Sequence, residues 1–169
     1  AAARQFFKLP DDPQRLHLHF ADGADFIIQS RQRYDLILVD GFDSNARAGR
    51  LDSLPFYLDC KARLAKEGLL CVNLLSRRKN FNHNIRQLNA AFDDHVIVIR
   101  SRDEGNAIAL ATANNTTNAT SSSSSRGLKT FDELQAAAQH LRQTTHLNLL
   151  PMLANLAVSG YIKQGMLQF

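Results

Sequence analysis

The stretch Tyr34-Asp35-Leu36-Ile37-Leu38-Val39-Asp40 decides how this chain is read. Four consecutive apolar residues, Leu36 to Val39, fit a strand buried on both faces, as in a parallel sheet covered by helices. The run is too short for a helix, and its β-branched members favour a pleated backbone. Asp40 follows at the carboxyl end, the side on which open α/β sheets bind ligands. A carboxylate in that place has no evident structural duty.

Working upstream, Leu16 to Phe20 alternates apolar and His residues, the period-2 signature of a strand. Asp22-Gly23 closes it and caps a helix expected to run to about Arg33. Residues 1–8 read as a short helical piece ended by Pro10 and the turn-forming Asp11-Asp12-Pro13. Downstream, a Gly-, Asn- and Arg-bearing loop covers 41–52. Ser53 then caps a helix with Pro55 in its first turn, where a missing N–H costs nothing. Tyr57, Cys60 and Leu64 give that helix one apolar face, and Gly68 is expected to stop it. Leu69 to Leu75 is a second buried strand. Asn80 opens a helix striped by Phe81, Ile85, Leu88 and Phe92. Val96–Ile99 and Ala107–Ala111 read as two strands of a hairpin. Residues 113–127 (ANNTTNATSSSSSRG) are too polar to bury a core and read as a flexible linker. Thr130 with Glu133 makes a capping box for a helix carrying Leu134, Ala138 and Leu141, and a short helix follows over 149–158. The order of elements is α/β, with a parallel sheet ending in an antiparallel pair.

Composition excludes several classes. The chain has 169 residues, 44% hydrophobic and 21% charged, which suits a globular domain with its own core. No apolar run approaches the roughly 20 residues a membrane-spanning helix needs, so no membrane partner is expected. The formal charge is +4, but Lys and Arg are scattered along the chain. Arg77-Arg78-Lys79 has no interleaved aromatics, so no nucleic-acid partner is expected either. Cys60 and Cys71 lack metal or redox spacing and suit reduced thiols in the cytoplasm. His17 and His19 share a strand face without a third ligand of recognisable spacing, so no metal site is expected.

Two acidic clusters fall beyond strand ends: Asp22-Gly23, and Asp40-Gly41-Phe42-Asp43. Asp40 and Asp43 can face one ligand, with Gly41 permitting close backbone approach. Each also has a plainer reading. Asp22 suits a helix cap and Asp43 an Asx turn, while Asp40 is harder to dismiss.

In their order, these residues resemble the spermidine synthases and related polyamine aminopropyltransferases. The matching features are Asp22-Gly23, Tyr34 to Asp40 with Asp43 completing a D-x-x-D, Leu51 with Phe56-Tyr57, and Leu64 through Gly68-Leu69-Leu70. The resemblance implies a Rossmann-like sheet of the S-adenosylmethionine-methyltransferase type, ordered 3-2-1-4-5-7-6, with an antiparallel C-terminal hairpin. It implies a transfer of an aminopropyl group from decarboxylated S-adenosylmethionine to a small-molecule amine, with no prosthetic group. In that scheme Asp40 is the catalytic base and Asp43 holds the substrate amine. Asp22, with Gly23 and Gly41, binds the adenosyl co-substrate. The chemistry is sound on its own terms. An alkyl amine with a pKa of about 10.4 is protonated at neutral pH, and a carboxylate must take its proton before it attacks a sulfonium.

The departures are specific. Ser44 stands where the family has Pro, and Asn73-Leu74-Leu75-Ser76 stands where it has Gln and an acidic residue. The chain opens Ala-Ala-Ala-Arg, without Met and inside a helical pattern. It is therefore expected to be N-terminally truncated and to lack the first two strands of the fold, with activity impaired. Residues 1–112 would form a partial Rossmann-like catalytic domain and 128–169 a C-terminal helical segment. Without those strands, 34–40 has an open edge, so strand 16–20 is expected to pair with it, or another copy to complete a homo-oligomer. Alternatives within the same fold are methyl transfer from S-adenosylmethionine to a small substrate, and a non-catalytic interaction domain.

Overall fold

The structure is a computed structural model and describes residues 2–100, 105–113, 130–163 and 166–167. The expected linker at 113–127 lies, but for Ala113, outside the described residues.

Strand β1 (Tyr34–Val39) pairs in parallel with β2 (Leu64–Leu75), which pairs antiparallel with β4 (Asn106–Thr112); β4 in turn pairs antiparallel with β3 (Val96–Arg100). The order β1-β2-β4-β3 is the 4-5-7-6 side of the expected sheet, hairpin included. Helices α3 (Leu54–Arg63) and α4 (Phe81–Phe92) cover one face. There Leu70, Val72 and Leu74 of β2 and Ala107, Ala109 and Ala111 of β4 meet Phe56, Tyr57 and Cys60. The α4 stripe supplies Phe81, Leu88 and Phe92, with Ile85 packed beside them. The small alanines of β4 let α4 lie close to the sheet.

Caps behave as the sequence implies. Ser53 Oγ accepts from the Phe56 N–H and opens α3, and the Thr130–Glu133 capping box is complete at the start of α5 (Phe131–Thr145). Helix α6 (Leu150–Val158) ends at Gly160, whose φ of +80° suits a residue without Cβ. Tyr161 beyond it accepts the Val98 N–H at 2.9 Å and so ties the C-terminal segment to β3. Beyond the expected helices, that segment adds two short paired strands, β5 (Ile162–Lys163) and β6 (Met166–Leu167).

Four expectations are corrected. Residues 16–20 form no strand; His19 instead rests on Phe26 of α2 (Gly23–Gln29), ring centroids 4.9 Å apart. Alternation alone cannot make a strand without a partner edge. That leaves β1 hydrogen-bonded on one side only among the described residues. Helix α2 stops at Gln29, short of Arg33, where Ser30 turns extended and its Oγ meets Tyr34 Oη at 2.7 Å. Strand β1 is not buried on both faces: Leu36 is 50% and Leu38 68% exposed, because the helices lie on the other side. Finally, Gly68 does not stop α3, which ends at Arg63. It sits within β2 at a register shift against β1, where a Cβ would come within 2.7 Å of the Tyr34 carbonyl.

Candidate functional site

The carboxyl ends of β1 and β2 face a crevice walled by the 41–52 loop and the turn after β2. Asp40 follows β1 directly. Its Oδ1 accepts from Asn73 Nδ2 at 2.9 Å, across from the neighbouring strand. A carboxylate only accepts, so this bond fixes the amide orientation and leaves Asn73 Oδ1 as the remaining acceptor. That oxygen is buried and has no partner.

Asp43 closes an Asx turn. Its Oδ1 accepts from Asn45 N at 2.8 Å and Arg47 N at 2.9 Å. The Arg47 N–H foremost, then that of Asn45 and the nearby Arg47 and Arg78 charges, hold its carboxyl below the usual range against a small desolvation effect. Arg78 reaches the same turn from the other side of the crevice, donating from Nη2 to the Asn45 carbonyl.

Asp22 lies at the far end and caps α2: Oδ1 accepts from Ala24 N at 2.9 Å and Asp25 N at 3.3 Å. Arg50, from a 3-10 turn at Gly49–Asp52, bridges Asp22 at 3.4 Å and Asp25 at 2.7 Å. This guanidinium lowers the pKa of the Asp25 carboxyl, its hydrogen bond being the main cause. Asp22, Asp40 and Asp43 thus stand along one rim rather than around one point.

Gly23 and Gly41 are brought together by Leu51. A Cβ on Gly41 would lie 2.7 Å from Leu51 Cδ1, and one on Gly23 3.3 Å from Leu51 Cδ2. The space that these glycines leave is filled by this leucine. Leu51 also lines a groove of about 350 Å³ with Phe26, Leu36, Leu38, Asp40 and Gly41. The groove is an apolar slot with one carboxylate at its end.

Behind the rim, Asp52 accepts from Asn80 at 3.2 Å and Asn84 at 3.0 Å, tying α4 to the loop. Burial, with Asp52 adding to it, pushes the Tyr57 phenol well above its ordinary range, and its hydroxyl has no partner. Burial likewise pushes the Cys60 thiol up to about 12, which leaves it unreactive. Both cysteines are free. Among the described residues no cluster of His, Cys, Asp or Glu could hold a metal, and no helix is long and apolar enough to cross a membrane.

Sequence reasoning missed Asn73, Leu51, Arg50 and Arg78. Asn73 left a usable signal, a polar residue inside the apolar run Leu69–Leu75. The other three act through contacts with distant loops and left none.

No family model matches the chain. A curated polyamine aminopropyltransferase of Neisseria meningitidis serogroup A is 31% identical over 160 residues, which is 95% of this chain and 57% of the relative. The chain therefore spans a little over half of that relative's length. Human methyltransferase-like protein 13, solved with SAH, superposes with a TM-score of 0.67 at 23% identity, over 86% of this chain and 66% of that one. A spermidine synthase solved with the transition-state analogue AdoDATO gives 0.55 at 23% identity, over 67% and 42%. The sheet order and hairpin described above are those of this shared fold. By sequence and by fold the chain is spermidine synthase-like, a relative of the polyamine aminopropyltransferases.

Proposed function

We propose that this chain carries the acceptor side of a site that transfers an aminopropyl group from decarboxylated S-adenosylmethionine to an amine. The observation that carries the reading is Asp40, placed at the carboxyl end of β1, oriented by Asn73 and open to an apolar groove. In the reaction the amine nitrogen forms a bond to the propyl carbon. The carbon–sulfur bond breaks, its electron pair stays on sulfur, and a neutral thioether leaves. The proton lost by the amine passes to Asp40. Asp43 would sit beside the acceptor. Asp22, its Oδ2 turned from the cap, would accept the adenine amino group, with the backbone at Gly23 and Gly41 close by. The sequence holds no G-x-G turn of the kind that cradles such a co-substrate, so turnover by this chain is expected to be slow.

Support comes from the relatives named aminopropyltransferase and from the AdoDATO-bound neighbour. We extend the reading to a self-associating protein of the cytoplasm. Its cysteines are unpaired, and β1 presents an edge with Leu36 and Leu38 beside it. Incubation of the chain with decarboxylated S-adenosylmethionine and an amine, followed by mass spectrometry, tests the reaction. Aminopropylated amine with methylthioadenosine is the expected product pair. Methylated product from ordinary S-adenosylmethionine, with no aminopropyl product, would replace this reading with methyl transfer.

A further inference from the structure

The acceptor side of the crevice is not uniformly acidic. Asp40 forms one end, with an amide as its only hydrogen-bonding neighbour among the described residues. Three residues on, Asp43 is folded into its own turn, with both backbone bonds on one oxygen. Arg78 lies on that turn through the Asn45 carbonyl, and the turn itself carries Arg47. Both guanidinium groups act on the Asp43 carboxylate and lower its pKa, so Asp43 offers little net negative charge to a ligand. Two cations against one carboxylate make this end net positive, while the Asp40 end is net negative.

A diamine carries a positive charge at each end. Placed with one nitrogen at Asp40, its second ammonium would face Arg47 and Arg78, and like charges in an interface are costly. An amine bearing an anion at its other end meets the opposite field at both ends. Arginine is also well suited to carboxylate and phosphate, which it grips through paired N–H donors.

We infer that the acceptor at this site is an amine carrying an anionic group, of the ω-amino acid type, rather than a polyamine. Its nitrogen lies at Asp40 and its anion at Arg78 and Arg47. This rests on the proposed transfer and names its acceptor class.

Binding tests it without the co-substrate. The full chain is labelled with ¹⁵N and titrated with 4-aminobutanoate and with 1,4-diaminobutane, which differ only in the second charged group. The expected result is that 4-aminobutanoate binds at least about tenfold more tightly and shifts the Asp43 to Arg47 amides. Arg78→Glu should reverse the order, and Arg78→Gln should bring the two close to parity. Tighter binding of the diamine, an order unchanged in Arg78→Glu, or no binding of either compound would each overturn the inference. The transfer assay separates the two claims. Bound 4-aminobutanoate without aminopropyl product defeats the transfer reading alone, whereas product formed preferentially from the diamine defeats the acceptor class alone.

Discussion

Asn73 Nδ2 donates to Asp40 Oδ1 at 2.9 Å, joining the ends of two adjacent parallel strands, while the Asn73 carbonyl oxygen is buried without a partner. The pair is at once a positioning device and a local cost. A buried unpaired acceptor costs about 1–3 kcal/mol, and a hydrogen bond to a charged group returns a similar amount. Asn73→Leu removes both effects. Its stability in urea unfolding should stay within about 1 kcal/mol of the parent while transfer falls, since Asp40 loses its orienting partner. A stability loss above about 2 kcal/mol would show that the amide is structural instead.

Asp22 does two jobs that substitution can separate. Asp22→Ala removes the cap of α2 and should cost about 1 kcal/mol. Asp22→Asn keeps the capping oxygen and should lose only a few tenths, yet it should weaken adenosyl binding by presenting an NH₂ where an acceptor is needed. Calorimetric titration with methylthioadenosine, beside thermal unfolding, reads both effects. Equal binding by Asp22→Asn and the parent would remove Asp22 from the site.

Leu51 and Gly41 should be energetically coupled. Gly41→Ala forces its new methyl against Leu51 Cδ1, at 2.7 Å in the present geometry. We expect a cost of about 1–3 kcal/mol from overpacking, largely relieved in the Gly41→Ala/Leu51→Ala double variant. A double-mutant cycle in urea that came out additive within about 0.3 kcal/mol would contradict the packing described.

Acid should loosen the rim before it unfolds the core. Asp25, Asp43 and Asp93 all have carboxyl pKa values lowered from 3.8, through Arg50, the Arg47 backbone N–H and Lys61 respectively. A lowered folded-state value means that the stabilisation is fully present above the unfolded value. It is then lost as pH falls from about 4 through the lower folded values. All three carboxylates are exposed, so each effect is small and weakens with salt. Asp43→Asn keeps the turn acceptor but has no proton to take up, so its stability should change less between pH 5 and pH 2. An identical acid profile would contradict the assignment.

Much of the fold was legible because its signals are local. The Thr130–Glu133 box, Pro55 behind Ser53 and the α4 stripe each depend on residues within a turn or two. What failed depended on distant partners. Leu16 to Phe20 has the alternation of a strand, yet a strand needs an edge to pair with, and these residues lie over α2 instead. The apolar run of β1 suggested burial on both faces, but exposure is set by which side the helices cover. Gly68 looked like a helix stop, whereas its role is to pass the Tyr34 carbonyl in a neighbouring strand. At the site, the acidic residues were visible in the sequence. Their restraint by Asn73, Arg50 and Arg78 was not, since each contact spans roughly thirty residues of chain.

The most direct test of the account is the single-turnover rate of aminopropyl transfer by the parent chain and by Asp40→Asn, measured with each acceptor. The substitution keeps the shape and the Asn73 contact but cannot take a proton from the amine. The account requires the rate to fall by about 100-fold or more with acceptor binding little changed. A rate within twofold of the parent would contradict it, and the proton acceptor would have to be sought elsewhere.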